Sequence, residues 1–189
     1  PAKTSDLIGR TALVCLAIAF AVVSPSCGPA VRPASEEVVE LPSFTPAEAA
    51  LFDDQFDEAV FGRIAWYPNA KLTDRVRLAD TVAIARIVTA SEQPTADGGA
   101  LVIVECKTQT PPLAGAAPEP TVRLTLAPNS PSHRFFRWQR PTLLGKDVVL
   151  FYRRYNQAGE ERVHFRAEPN IPAVHLAVQQ VLSAAPPPP

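Results

Sequence analysis

The order of hydrophobic and polar positions changes character along the chain. From Thr81 to Thr89 the residues are β-branched and nearly continuously apolar, as in a strand covered on both faces. The Asp97-Gly98-Gly99 turn leads into Leu101–Lys107, so these two runs predict a hairpin with a connection longer than the tight two-residue type. Residues 111–120 are rich in Pro, Ala and Gly and read as a loop. In Thr121–Leu126 the alternation is regular, with Val122, Leu124 and Leu126 on one face and Thr121, Arg123 and Thr125 on the other. Asp147–Arg154 carries the strongest strand pattern, Val148 to Tyr152 in succession. Glu161–Arg166 follows the Asn156-Gln157-Ala158-Gly159 turn, with Val163 and Phe165 facing inward and His164 outward between them. Five strands with one long connection between the third and the fourth predict a small closed barrel.

Helical spacing flanks these strands. Thr45-Pro46-Ala47-Glu48 has the form of a capping box with Pro at the first helical position, opening a helix that ends near Asp53. Leu72–Ala79 predicts a second short helix with Leu72, Val76 and Ala79 on one face. Pro172–Ser183 predicts a closing helix with Val174, Ala177, Val178, Val181 and Leu182 as its apolar stripe, stopped by the Pro186–Pro189 tail. Residues 28–44 are rich in Pro, Glu and Ser, have neither period, and read as an extended tether.

Thr11–Val23 is apolar throughout but too short to span a membrane. Thirteen residues give roughly 20 Å of helix against a hydrocarbon core of about 30 Å. With Lys3 and Arg10 before it and small Ser24 and Ser26 ahead of Cys27, the run has the form of a secretory signal peptide. The segment resembles a bacterial lipoprotein signal, in which the cysteine after the cut is acylated and becomes the mature amino terminus. Ser24 stands where such signals usually carry Leu, and Gly28 lacks the Asp that favours inner-membrane retention. The resemblance implies an exported protein anchored by lipid at Cys27, at the outer membrane. Secretion with Cys27 as an ordinary residue is the alternative.

Composition adds three constraints. About 160 residues after Cys27 suffice for one domain with a sizeable core. With Cys27 acylated, Cys106 has no intrachain partner, and its apolar setting predicts a buried, inert thiol. The formal net charge is −1, so no basic field argues for nucleic acid. The charge is unevenly spread. Residues 28–60 hold one arginine against eight carboxylates, net −7, and residues 121–189 hold nine basic residues against four acidic ones, net +5. Either the acidic leader docks on the basic half, or it is a solvated linker that keeps a tethered domain off an anionic surface.

Leu78–Val88, the strand through Val102-Ile103-Val104, and Leu144–Tyr152 together resemble netrin-like and metalloprotease-inhibitor-like OB barrels of exported bacterial proteins. Leu51-Phe52-Asp53-Asp54 is similar to the segment that precedes the domain in uncharacterised lipoproteins of myxobacteria and their relatives. The resemblance implies a mainly β fold with short flanking helices, built on a small five-stranded OB-like barrel. It divides the chain into a signal peptide 1–26, an acidic tether 27–44, a helical lead-in 45–79, a barrel 80–168, and a carboxy-terminal helix and Pro tail 169–189. Inhibitors of that shape reach their target's zinc with a disulfide-bonded amino-terminal cysteine, a framework this chain lacks, so protease inhibition is an alternative function only.

The sharpest candidate surface is His133–Arg140, read as a loop in which arginines alternate with aromatics. Arg134, Phe136, Arg137, Trp138 and Arg140 form the candidate ligand-binding set, because guanidinium groups pair with anionic groups while rings stack on sugars. The competing reading has Phe135, Phe136 and Trp138 plugging one barrel end with the arginines in water. Asp53, Asp54, Asp57 and Glu58 match no established Ca²⁺ loop, and His133, His164, His175 and Cys106 share no zinc-ligand spacing. Catalytic signatures are absent, so no catalytic residue, metal or cofactor is expected. An envelope enzyme with dispersed catalytic residues remains the other alternative. The expected function is a non-enzymatic envelope binding module, held to the membrane by its lipid and binding an envelope protein or an anionic glycan.

Overall fold

The computed structural model describes residues 40–184. The signal peptide, Cys27, most of the tether and the Pro tail lie outside the described residues. In chain order the elements are α1 (Pro46–Ala49), β1 (Gln55–Phe56), a 3-10 turn (Glu58–Phe61), α2 (Leu72–Leu78), β2 (Thr81–Pro94), β3 (Ala100–Thr108), β4 (Ala114–Gly115), β5 (Thr121–Leu126), α3 (Pro131–Leu143), β6 (Asp147–Gln157), β7 (Glu160–Pro169) and α4 (Pro172–Ser183). The fold is mainly β, with four helices around one curled sheet.

The sheet runs β1-β7-β6-β2-β3-β5, and β4 pairs with the start of β2. Neighbours are antiparallel except the short parallel β1–β7 pair. Among the described residues no ladder joins β5 to β7, so the curl is a half-barrel, open where the expected closed barrel would seal. One cause is in the sequence: Gln55 and Phe56 take the outer edge of β7 at Arg166 and Ala167, and Asp54 adds its backbone N–H to the Phe165 carbonyl. That edge is then spent on the lead-in rather than on β5. The proline-rich connection 111–120, expected as a loop, contributes β4. Gly115 makes that pairing possible, since it sits at φ +79° and its α-carbon lies against the Asp80 carbonyl.

The apolar runs of β2 and β6 are explained by two cores, one on each face of the sheet. Inside the curl, Ala85, Ile87, Val104, Leu124, Leu150 and Phe165 pack with Phe56 and Phe136. On the outer face, Val82, Val149, Phe151 and Tyr155 pack under Phe52, Leu72, Val76, Val174 and Val178 from the lead-in, α2 and α4. Alternate residues of one strand are therefore buried on opposite sides, which removes the period-2 pattern. Only β5, exposed on its outer face, keeps the clean alternation, with Val122, Leu124 and Leu126 buried.

The capping box forms: the Thr45 hydroxyl accepts from the Glu48 N–H and the Glu48 carboxylate accepts from the Thr45 N–H. The helix it opens stops at Ala49 instead of Asp53, because Asp53, Asp54 and Asp57 turn away to meet β7. In α4 the stripe is Val174, Ala177 and Val178 with Val181 packed at its edge, whereas Leu182 is exposed. No helix among the described residues is long and apolar enough to cross a membrane.

Candidate functional site

His133–Arg140 is a helix, not a loop. Ser130 precedes α3 and Pro131 takes its first position, where a missing N–H costs nothing. Pro141 falls in the last turn, so the helix ends two residues later at Leu143. Helical spacing then sorts the candidate residues. Ser132, His133, Phe136 and Leu143 face the sheet, while Arg134, Arg137 and Trp138 face outward.

Phe136 is 1 % exposed and meets Phe56 edge-on at 4.8 Å between ring centroids. Its ring is core, unavailable to a ligand, and it closes the end of the curl as the plug reading expected. Ser132 and His133 lock the helix in place. The Ser132 hydroxyl accepts the Phe56 backbone N–H at 2.8 Å, and His133 Nε2–H donates to the Ala100 carbonyl at 2.8 Å. Trp138 does the reverse of plugging, with 77 % of its surface exposed.

An open cleft of about 460 Å³ separates this outward face from the β2–β3 turn, with Gly98, Gly99 and Pro128 opposite Arg134, Arg137 and Trp138. Arg137 reaches Glu92 at 3.1 Å, a pair half in water on both sides. Arg134 and Arg140 have no carboxylate partner among the described residues. Arg140 lines a smaller pocket at the other flank of the helix, together with Glu92, Val102 and Phe136. The site therefore presents an indole platform, two arginines beside it and a third arginine one turn on. Such a surface stacks on a flat apolar ring face and holds negative charge beside it.

Most of the other charge-bearing candidates pair within the domain. Arg166 receives Asp53 at 3.1 Å and Asp57 at 2.8 Å. Arg153 meets Glu48 at 3.3 Å. His164, expected outward, is buried on the outer face of β7, where Nδ1–H donates to Asp54 at 2.8 Å and the ring stacks on Phe44 at 3.6 Å. Thus residues 48–57 dock their carboxylates on the basic half of the domain, which resolves the charge asymmetry for this stretch. His133, His175 and Cys106 fall on α3, α4 and β3, and among the described residues no three such side chains gather into a metal-binding group. Cys106 is buried, and burial pushes its thiol up to about 12.

One cluster was not legible in the sequence. Arg75 of α2 and Glu168 of β7, both essentially inaccessible, pair at 3.0 Å. The Arg75 Nε–H donates to the Leu51 carbonyl at 2.8 Å and the Trp66 indole N–H donates to Glu168 at 2.7 Å. Burial is the leading influence on both: it pulls the arginine down and pushes the carboxyl above its ordinary range. Each residue looks like a solvated charge in sequence, and nothing local marks them as partners across 93 positions. The cluster is enclosed, so it reads as structural.

Comparison with protein-family models, with curated proteins and with solved structures returns no match for the chain.

Proposed function

We propose that this chain is a non-enzymatic binding module of the bacterial cell envelope, held to the outer membrane by a lipid on Cys27, and that the outward face of α3 binds an anionic glycan. The signal-like leader and the tether after Cys27 support the location. The five long strands lie in the spatial order β7-β6-β2-β3-β5, with α3 on the long connection from β5 to β6. That order supports a partly open OB-like barrel of the netrin-like kind, a scaffold suited to oligosaccharide ligands.

The observation that carries the reading is Trp138. A large aromatic ring left 77 % in water costs hydrophobic free energy that burial would recover. Its neighbours Arg134 and Arg137 add positive charge along the same cleft. Sugar rings stack on indole through their C–H faces, and acidic substituents pair with guanidinium. The test is a binding titration of the full chain with fractionated envelope polysaccharide, read by isothermal titration calorimetry. Trp138→Ala, and the combined Arg134→Ala, Arg137→Ala and Arg140→Ala, should each weaken binding at least tenfold with an unchanged urea midpoint. Undiminished binding by both variants would refute the assignment of this face.

A further inference from the structure

The groove along α3 continues past Trp138. Pro128 and Arg134 form a wall shared with a second cleft of about 330 Å³, bounded by Glu58, Arg63, Asn129, Ser130 and Phe135. Arg63 is brought here by the end of the 3-10 turn, where Gly62 takes a left-handed conformation at φ +71° and redirects the chain. Its guanidinium lies 4.8 Å over the Phe135 ring, and Phe135 in turn stacks on Phe61 at 4.6 Å. Stacking fixes the plane of the guanidinium and leaves its N–H edges open to an acceptor. Neither Arg63 nor Arg134 has a carboxylate partner among the described residues.

Between the two arginines lies the amino end of α3. Ser130 occupies the capping position but makes no capping hydrogen bond, and its hydroxyl is buried with no partner among the described residues. The thirteen-residue helix adds partial positive charge at the same place. The one carboxylate lining the cleft, Glu58, is exposed at its rim, so the two guanidiniums leave the cleft net positive.

We propose that this second cleft is a phosphate subsite, and that the ligand of the α3 groove is a phosphorylated sugar whose ring lies on Trp138 and whose phosphate sits between Arg63 and Arg134. The inference rests on the glycan reading of α3 and names its ligand class. Arg63 and Arg134 both line this cleft and present guanidinium N–H donors, and the amino end of α3 adds partial positive charge beside them. A phosphate monoester has three terminal oxygens to receive them, whereas a planar carboxylate has two.

The experiment is an NMR titration of the full chain, following the Trp138 indole N–H and the Arg63 and Arg134 side-chain N–H signals, with glucose, glucose 6-phosphate and inorganic phosphate as probes. Glucose 6-phosphate should move all three signals and bind about tenfold more tightly than glucose, inorganic phosphate the two arginines alone, and glucose Trp138 alone. Arg63→Ala, at an exposed position, should erase the preference for the phosphorylated sugar and leave glucose binding unchanged. Equal affinity for the two sugars, or a preference that survives Arg63→Ala, overturns the phosphate subsite while leaving the glycan face intact. Arginine shifts with phosphate and silence at Trp138 with both sugars would uphold the anion subsite and defeat the glycan reading. Silence at every signal defeats both.

Discussion

Removing one member of the Arg75–Glu168 pair should destabilise the domain severely, and removing both should not. The side chains are 2 % and 0 % exposed, so Glu168→Leu strands a guanidinium under α2 with only the Leu51 carbonyl directly against it. Breaking a buried pair in this way costs about 3–5 kcal/mol, a large part of the 5–15 kcal/mol that holds a typical domain. Burial outweighs the mutual attraction in the environment of both groups, which is the regime where an apolar replacement of the whole pair is tolerated. The double variant Arg75→Met, Glu168→Leu should therefore cost about 2 kcal/mol, from the lost acceptor of the half-buried Trp66 N–H and the lost carboxylate 3.5 Å from the buried Arg166 Nε. Urea denaturation of the four chains, followed by fluorescence and circular dichroism, gives the coupling energy directly. The sign of the pH dependence follows from the raised carboxyl. The native state holds the Glu168 proton more tightly than the unfolded chain, so its contribution is complete below the ordinary value of 4.5 and declines as pH rises through the native pKa. Wild type should thus lose stability relative to Glu168→Gln as pH rises above about 4.5. Additive single costs, or a Glu168→Leu cost below about 1 kcal/mol, would refute the account of a desolvation-dominated buried pair.

Two further predictions test the frame around the site. Gly115→Ala should cost about 3 kcal/mol or more, since the new Cβ combines a φ of +79° with overlap on the Asp80 carbonyl, whereas Gly145→Ala, at φ +82° in open space, should cost about 1 kcal/mol; urea midpoints distinguish them. Cys106 should resist alkylation by iodoacetamide at about pH 8 in the native protein and react once unfolded, because burial holds the thiol at about 12. Mass analysis of the Cys106 peptide reads the outcome, and native reaction at the rate of a free thiol would contradict the packing of β3 against β5.

The sequence by itself determined the elements whose signals are local. The Thr45–Glu48 capping box, the span of β5 and its inward Val122, Leu124 and Leu126 rest on neighbouring residues alone, and they formed as expected. The stretch His133–Arg140, expected as a loop, is helix α3, because its arginines and aromatics only sort into an inner and an outer face once Phe136 and Leu143 have a sheet to pack on.

Tertiary structure decided the rest. It buried Phe136 and left Trp138 in water, a choice between two aromatics two positions apart that depends on which face of α3 meets the sheet. It buried His164 on the side of β7 it was expected to face, because that outer face is covered by Phe44 and Asp54 from more than a hundred positions earlier. It kept the curl open by giving the edge of β7 to Gln55 and Phe56, and it brought Arg63 beside Arg134. The common physical reason is that apolar period and cap chemistry depend on residues a few positions apart. Edge occupancy, charge pairing and the lining of a cleft are settled only when distant segments compete for the same surface.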